Sequence, residues 1–247
     1  MSKRLKVVLA VVVVGVALGG IGLWWFFRDD APPEVNLADA VSQVEDGKTT
    51  DGSTATGSGT VDTIDGTWVV DTSSGDFDFD EATGTFAGFR IKEELAGIGS
   101  TTAVGRTGDV TGTVEIGDDT LQSATFEVNL TTITTNDGRR DSQVQRALDT
   151  GTNPTATFTL TEPVALDPNA IDGEPLSVTA VGDLTIAGTT KSVEFPLEAQ
   201  LVGDTVVVVG SIDVVFSDYG VSVPDSQIVL SVADNGTLEL QVLLVKG

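Results

Sequence analysis

The sequence predicts an all-β protein, an antiparallel β-barrel with one short helix, preceded by a single N-terminal transmembrane helix and a flexible linker. Three observations predict this arrangement. Apolar and polar residues alternate with a period of two from Gly66 onward, which is typical of antiparallel strands with one buried face. The uncharged run from Val7 to Phe27 has 21 residues, enough to cross a bilayer. Residues 28–65 show no sustained apolar period.

The N-terminal segment is predicted to be an uncleaved signal anchor. Residues 1–6 carry three basic side chains and no acidic one, so we expect them to lie in the cytoplasm and residues 7–27 to span the membrane. The alternative is a cleaved signal peptide, whose apolar region usually has about 7 to 15 residues. The run here ends in the aromatic residues 24–27, which suit a membrane interface better than a peptidase site. The prediction is a single-pass protein of the cell membrane with its folded domain outside the cell.

Residues 28–65 are predicted to be a linker, because they are first acidic and then rich in Thr, Ser and Gly. Leu37 to Val44 has the pattern of a short helical turn, but too few apolar residues follow it to bury a face. We therefore expect a stalk that lifts the domain off the membrane. The folded domain is placed at residues 66–247.

The strands of this domain are predicted from its alternating runs. The clearest apolar rows are Phe126, Val128 and Leu130; Phe158 and Leu160; Leu176, Val178 and Ala180; Val193, Phe195, Leu197, Ala199 and Leu201; and Leu238, Leu240, Val242 and Leu244. Asp234-Asn235-Gly236 has the composition of a hairpin turn. One stretch, Gly138 to Thr150, is predicted to be helical after the capping residues Asn136-Asp137. About eight to ten strands favour a closed barrel over a sandwich, because closure leaves no exposed edge.

Composition excludes several classes of function. The chain has no Cys and no His, which excludes a Ser-His-Asp triad, a thiolate nucleophile, a disulfide and imidazole metal ligands. A net charge of −24 argues against nucleic acid as a partner. Asp76, Asp78 and Asp80 alternate with Phe and lack the glycine of a calcium loop, so they indicate a strand with a solvated face. We expect a monomer that is not an enzyme and has no metal and no cofactor.

Six segments follow one another in an order that resembles the YceI-like family of lipocalin-shaped proteins that bind polyisoprenoid lipids. They are Trp68-Val69-Val70-Asp71; Val104-Gly105 with Val110-Thr111-Gly112; Thr132 to Thr135 with Arg140-Asp141; Asn153-Pro154 to Phe158; Leu184 to Lys191; and Phe216 to Gly220. Gly88 to Leu95 is similar to the family's second strand. Many members place His on the first strands and after the Arg-Asp pair, where this chain has Ser73-Ser74, Glu93 or Glu94, and Ser142-Gln143.

The resemblance implies that a lipocalin-like barrel at residues 66–247 binds, transports or stores an isoprenoid quinone or a polyprenyl compound. A barrel of about eight strands is just wide enough to hold one small ligand. The expected apolar contacts are Phe89, Ile91, Val114, Ile116, Phe126, Val128, Phe158, Leu160, Val193, Phe195, Val214 and Phe216.

Three arginines, Arg90, Arg139 and Arg140, are candidates for contact with a polar head group, although Arg140 is equally suited to pair with Asp141 or an adjacent strand. Alternation alone does not separate a hollow barrel from a filled one. A cell-surface structural or interaction module with a solid core and an acidic exterior is therefore the alternative function.

Overall fold

The computed structural model describes residues 31–50, 63–73, 75–95, 99–222 and 229–247. The predicted span at residues 7–27 lies outside them. No helix within the described ranges is long and apolar enough to cross a membrane. The elements of the described residues are two α-helices, α1 (Leu37–Thr50) and α2 (Gly138–Ala147), and the strands β1 (Gly66–Asp71), β2 (Phe86–Leu95), β3 (Gly99–Thr107), β4 (Val110–Gly117), β5 (Thr120–Asn129), β6 (Thr134–Thr135), β7 (Thr155–Leu160), β8 (Val164–Ala165), β9 (Leu176–Ile186), β10 (Thr189–Val202), β11 (Thr205–Val215) and β12 (Val229–Lys246).

The strands form a closed antiparallel barrel. Eight of them follow the order β1-β4-β5-β7-β9-β10-β11-β12, and β12 pairs back with β1, with Trp68 opposite Lys246. The long strand β12 pairs with β1 near its C-terminal end and with β2 along the rest of its length. β3 pairs with β2 and is followed directly by β4. The predicted fold class, an antiparallel lipocalin-like barrel, is confirmed.

Alternation along each strand sorts side chains between the barrel interior and the outer face. On β5, Ala124 and Phe126 are buried, whereas Thr125 and Glu127, which alternate with them, are exposed. This is the period-two pattern that a sheet with one apolar face requires. The core consequently lies inside the barrel.

The barrel has two distinct ends. The end that we call the α2 end carries α2, the short 3₁₀-helices Leu130–Thr132 and Phe216–Tyr219, and the connection between β9 and β10. The opposite end, which we call the Trp68 end, carries the turns between β4 and β5 and between β10 and β11, and the 3₁₀-helix Pro168–Asp172. The predicted helix is α2, and Asp137 caps it by accepting a hydrogen bond from the backbone N–H of Arg139.

Helix α1 lies within the predicted linker, and the expectation that this stretch buries no face is wrong. Leu37, Ala40 and Val41 are buried against Val207 and Val209 on the outer face of β11, and also against Leu243. Three apolar residues are enough to dock the helix because the barrel provides outward-facing valines that cover them. The local composition of residues 28–65 does not reveal these valines. Besides the transmembrane helix, the sequence predicted one short helix, whereas the described residues contain two α-helices.

The residues before α1 are also attached to the barrel. The Arg90 guanidinium donates to the carbonyl oxygens of Pro32 at 2.8 Å and Pro33 at 3.2 Å. The buried Arg106 donates to the Pro33 carbonyl as well. Residues 31–50 therefore belong to the folded body.

Candidate functional site

The barrel interior contains two apolar cavities. The one toward the α2 end has a volume of about 130 Å³, and the one toward the Trp68 end about 110 Å³. Leu130, Leu148 and Ile186 line only the first, and Leu166 and Leu176 only the second. The lining is apolar apart from a few residues, among them Thr157 and Glu239 in the first and Glu174 and Gln200 in the second.

Three side chains are common to both cavities: Phe126, Phe158 and Leu197. They therefore form the partition between two spaces that otherwise follow one another along the barrel. The Phe158 ring packs edge-on against Phe195, with ring centroids 6.1 Å apart.

Five inward phenylalanines pack over glycines, and this explains why space remains inside the barrel. The pairs are Phe89 on Gly105, Phe126 on Gly112, Phe158 on Gly182, Phe195 on Gly210, and Phe216 on Gly236. A Cβ atom at each of these glycines would lie between 2.5 and 2.8 Å from the ring, closer than van der Waals contact allows. Each ring therefore lies against the barrel wall, where a larger residue would push it inward.

Nine of the twelve predicted apolar contacts line the cavities. Phe89, Val128, Phe195 and Phe216 line the α2-side cavity; Val114, Ile116 and Leu160 line the Trp68-side cavity; and Phe126 and Phe158 line both. Ile91, Val193 and Val214 line neither and belong to the apolar cluster around the α2-side cavity. Direct contact of any of these residues with a ligand remains a prediction.

Sequence reasoning missed part of the lining. Ile133 and Leu148 lie in connections outside the strands, where no period identifies a buried position. Leu184 and Leu197 belong to alternating runs, and their parity was sufficient to find them. The inward glycines were also visible in the sequence, but matching each to a ring requires the strand register.

The three candidate head-group arginines do not line either cavity. Arg90 follows the inward Phe89 on β2, so alternation places it on the outer face, where it holds Pro32 and Pro33; its expected position at the mouth is corrected. Arg139 is 88% exposed and lies 3.7 Å from the Asp137 carboxylate.

Arg140 reaches from α2 to Glu93 on β2, with 2.8 Å between Nη2 and Oε2. Glu93 is buried, and its position on β2 has the inward parity of Phe89. Of the alternatives, pairing with an adjacent strand is therefore the one that the structure adopts. This ion pair fastens α2 across the barrel end, while Val144 and Ala147 pack on the apolar cluster below.

A buried ion pair that the sequence analysis missed holds the outer face together. Arg106 Nε lies 2.6 Å from Glu239 Oε1, and both side chains are almost completely buried. Its guanidinium also stacks over the Phe86 ring, 4.6 Å from the centroid, and donates to the Phe79 carbonyl. Every polar contact of Arg106 is thus structural.

Residues 76–80 lie in a turn region and not in the predicted strand. Asp78 Oδ1 accepts from the backbone N–H groups of Asp80 and Glu81, and only an isolated bridge joins Asp78 to Thr83. Within the described part of the chain, no group of three or more metal-ligating side chains is present.

The model of the YceI-like domain family matches residues 36–244, a span that includes α1. No match was found among curated proteins.

Two solved structures share the fold. One is a polyisoprenoid binding domain from Saccharophagus degradans implicated in plant cell wall breakdown, with a TM-score of 0.53 and 15% identity, covering 73% of this chain and 98% of that one. The other is BcnA from Burkholderia cenocepacia, with a TM-score of 0.50 and 19% identity, covering 70% of this chain and 98% of that one. At these identities the likeness establishes the fold.

Proposed function

The chain belongs to the YceI-like family, and from that premise we propose that it binds a polyisoprenoid lipid, an isoprenoid quinone or polyprenyl compound, inside its barrel. We further propose that residues 7–27 anchor it in the cell membrane, that the barrel lies outside the cytoplasm, and that it transports or stores this lipid there. The structural likeness to the polyisoprenoid binding domain from Saccharophagus degradans supports the ligand class.

The observation that carries the proposal is the pair of apolar cavities that share Phe126, Phe158 and Leu197 as lining residues. A prenyl chain is apolar over its whole length and gains about 25 cal/mol for each Å² removed from water. A long, narrow and flexible ligand suits two spaces in line better than a rigid compact ligand does. The energy of binding would come from area and not from directed hydrogen bonds.

A membrane anchor supports the same function. Isoprenoid lipids dissolve in the bilayer, and tethering keeps the barrel at a high effective concentration relative to them. The sequence without His and Cys supports a role in binding over catalysis. The alternative function is an interaction module with a solid core. The following experiment would favour it if no lipid binds.

The first test is extraction of the natively purified full chain with organic solvent, followed by mass spectrometry. We expect an isoprenoid lipid in amounts comparable to the protein. A purified chain without extractable lipid, which also fails to take up a long-tailed quinone or a polyprenyl phosphate, would overturn the proposal.

Phe158→Leu and Phe86→Leu form a matched pair for locating the binding site. Phe158 lines both cavities, whereas Phe86 is fully buried and lines neither. We expect Phe158→Leu to weaken quinone binding by about tenfold, or about 1.4 kcal/mol. Phe86→Leu should lower the melting temperature and leave the affinity unchanged. Equal loss of affinity in both variants would contradict binding inside the barrel.

Topology is tested separately by adding protease to intact cells. We expect release of a folded fragment that lacks residues 7–27. Protection of the barrel would contradict an extracytoplasmic location while leaving lipid binding intact. Light scattering of the purified chain tests the predicted monomer.

A further inference from the structure

The segment that follows the predicted membrane span is fastened to one side of the barrel. Arg90 and Arg106 bind the carbonyl oxygens of Pro32 and Pro33, and both arginines face Glu239 at 3.5 and 2.6 Å. Since Arg106 and Glu239 are buried, this attachment is part of the core of the fold.

The distance between the membrane span and the barrel is consequently short. The apolar run ends at Phe27, and Ala31 is the first described residue. Four residues extend over at most about 14 Å. Residues 31–50 belong to the folded body, so only residues 28–30 separate it from the proposed span, and their number keeps the barrel body close to the bilayer.

The point of attachment lies nearer to the α2 end than to the Trp68 end. On β2, Arg90 is five residues from Leu95 at the α2 end, about 17 Å along the strand. Thr237, the partner of Arg90 on β12, is nine residues from Lys246 at the Trp68 end, about 30 Å along the strand. A short tether therefore brings the α2 end to the membrane more readily.

The distribution of charge distinguishes the two ends in the same way. Five of the eight basic residues in 66–247 lie at or near the α2 end: Lys92, Arg139, Arg140, Arg146 and Lys191. The same end also carries carboxylates, and three of the bases pair with them: Arg139 with Asp137, Arg140 with Glu93, and Lys191 with Asp218. The other acidic residues at or near this end include Glu94, Asp141, Asp149 and Asp234.

Among residues 66–247, Lys246 is the one basic residue at the Trp68 end. The acidic residues there are Asp65, Glu115, Asp118, Asp119, Glu162, Asp167, Asp172, Glu174, Glu198 and Asp204. Anionic lipid head groups repel this end strongly and the α2 end much less.

We propose that the α2 end faces the bilayer and that the isoprenoid chain passes between membrane and barrel through this end. The inference rests on the proposed anchor and lipid ligand. The position of the α2-side cavity agrees with this orientation, because Leu148, directly after α2, forms part of the cavity wall. Helix α2, held by the Arg140–Glu93 ion pair, then covers the passage from the membrane side.

The absence of cysteine from the sequence permits a direct test with single labels. Ser142→Cys on α2 and Ser123→Cys on β5, near the Trp68 end, replace exposed serines by residues of similar size. Each full-length variant carries one fluorophore and is reconstituted into vesicles of phosphatidylcholine and phosphatidylglycerol that contain lipids with a quencher on the head group.

We expect the label at position 142 to be quenched severalfold more strongly than the label at position 123. Equal quenching at the two positions, or stronger quenching at 123, would overturn the proposed orientation. A chain that does not sediment with the vesicles would overturn the anchor itself. Sedimentation and quinone binding are measured on the same samples, so failure of the anchor, of lipid binding and of the orientation are three distinguishable results.

Discussion

Gly105→Ala tests whether the Phe89 ring is held against the wall by the absence of a side chain on the neighbouring strand. Gly105 lies directly opposite Phe89 in the register of β2 and β3. A Cβ atom there would lie 2.5 Å from Phe89 Cε1 and 2.6 Å from Cζ, so the ring must move by about 1 Å to reach ordinary contact. The displacement is directed into the α2-side cavity, because the ring lines it.

The expected cost follows from overpacking. Inserting a methyl group into a packed site costs about 1–3 kcal/mol, and a domain of this size loses about 2–4 °C in Tm for each kcal/mol. We therefore expect Gly105→Ala to lower Tm by about 2–12 °C. Unfolding is followed by Trp68 fluorescence in a chain that begins at Ala31, where the fully buried Trp68 is the only tryptophan.

The control is a double-mutant cycle with Phe89→Leu, which removes the ring and by itself costs about 1–2 kcal/mol of apolar burial. In the Phe89→Leu background, Gly105→Ala should cost little, which gives a coupling energy of about 1–3 kcal/mol. An unchanged cost of Gly105→Ala in both backgrounds would refute the role assigned to the ring. A Gly105→Ala variant as stable as the parent would refute it too.

Three further predictions concern stability. Glu239→Leu leaves the buried Arg106 without its carboxylate, and urea unfolding should show a loss of about 3–5 kcal/mol; a loss below about 1 kcal/mol would contradict a buried pair. Leu37→Ala should cost about 2–5 kcal/mol in the same assay, because Leu37 is buried between α1 and the barrel; no effect would indicate that α1 is not docked in solution. Burial and the adjacent Asp218 raise the pKa of Tyr219 above 10.0, so folding stability should fall as pH rises past 10.0, and Tyr219→Phe should flatten that decline. The phenolate absorbance of this single tyrosine should begin to rise at a higher pH in the folded chain than in urea. Identical titration curves in both states would contradict the shift.

The barrel could be predicted because alternation is a local property of the sequence. Each run, such as that around Phe126, assigns its own inward face without knowledge of its neighbours. Closure was inferred from the number and length of the strands. The capping residue Asp137 and helix α2 were identified by equally local rules.

The linker prediction was wrong for α1 because a helix face is buried or exposed depending on its partner. Leu37 and Val41 are too few to predict packing by themselves, and the surface that covers them includes Val207 and Val209, far along the chain. The outward position of Arg90 followed from alternation with Phe89, yet its carbonyl partners at Pro32 and Pro33 depend on how residues 31–36 return to the barrel.

The sequence by itself determined the antiparallel barrel, its inward-facing side chains and the resemblance that carries the ligand class, because periodicity and motif order are written along the chain. Only the tertiary structure decided that the interior contains space, because the size of a cavity depends on which residues meet across strands. Gly105 and Phe89 are 16 positions apart and become neighbours through the register of β2 and β3 alone. The attachment of residues 31–36 near the α2 end is likewise a relation between distant segments, and no local pattern encodes it.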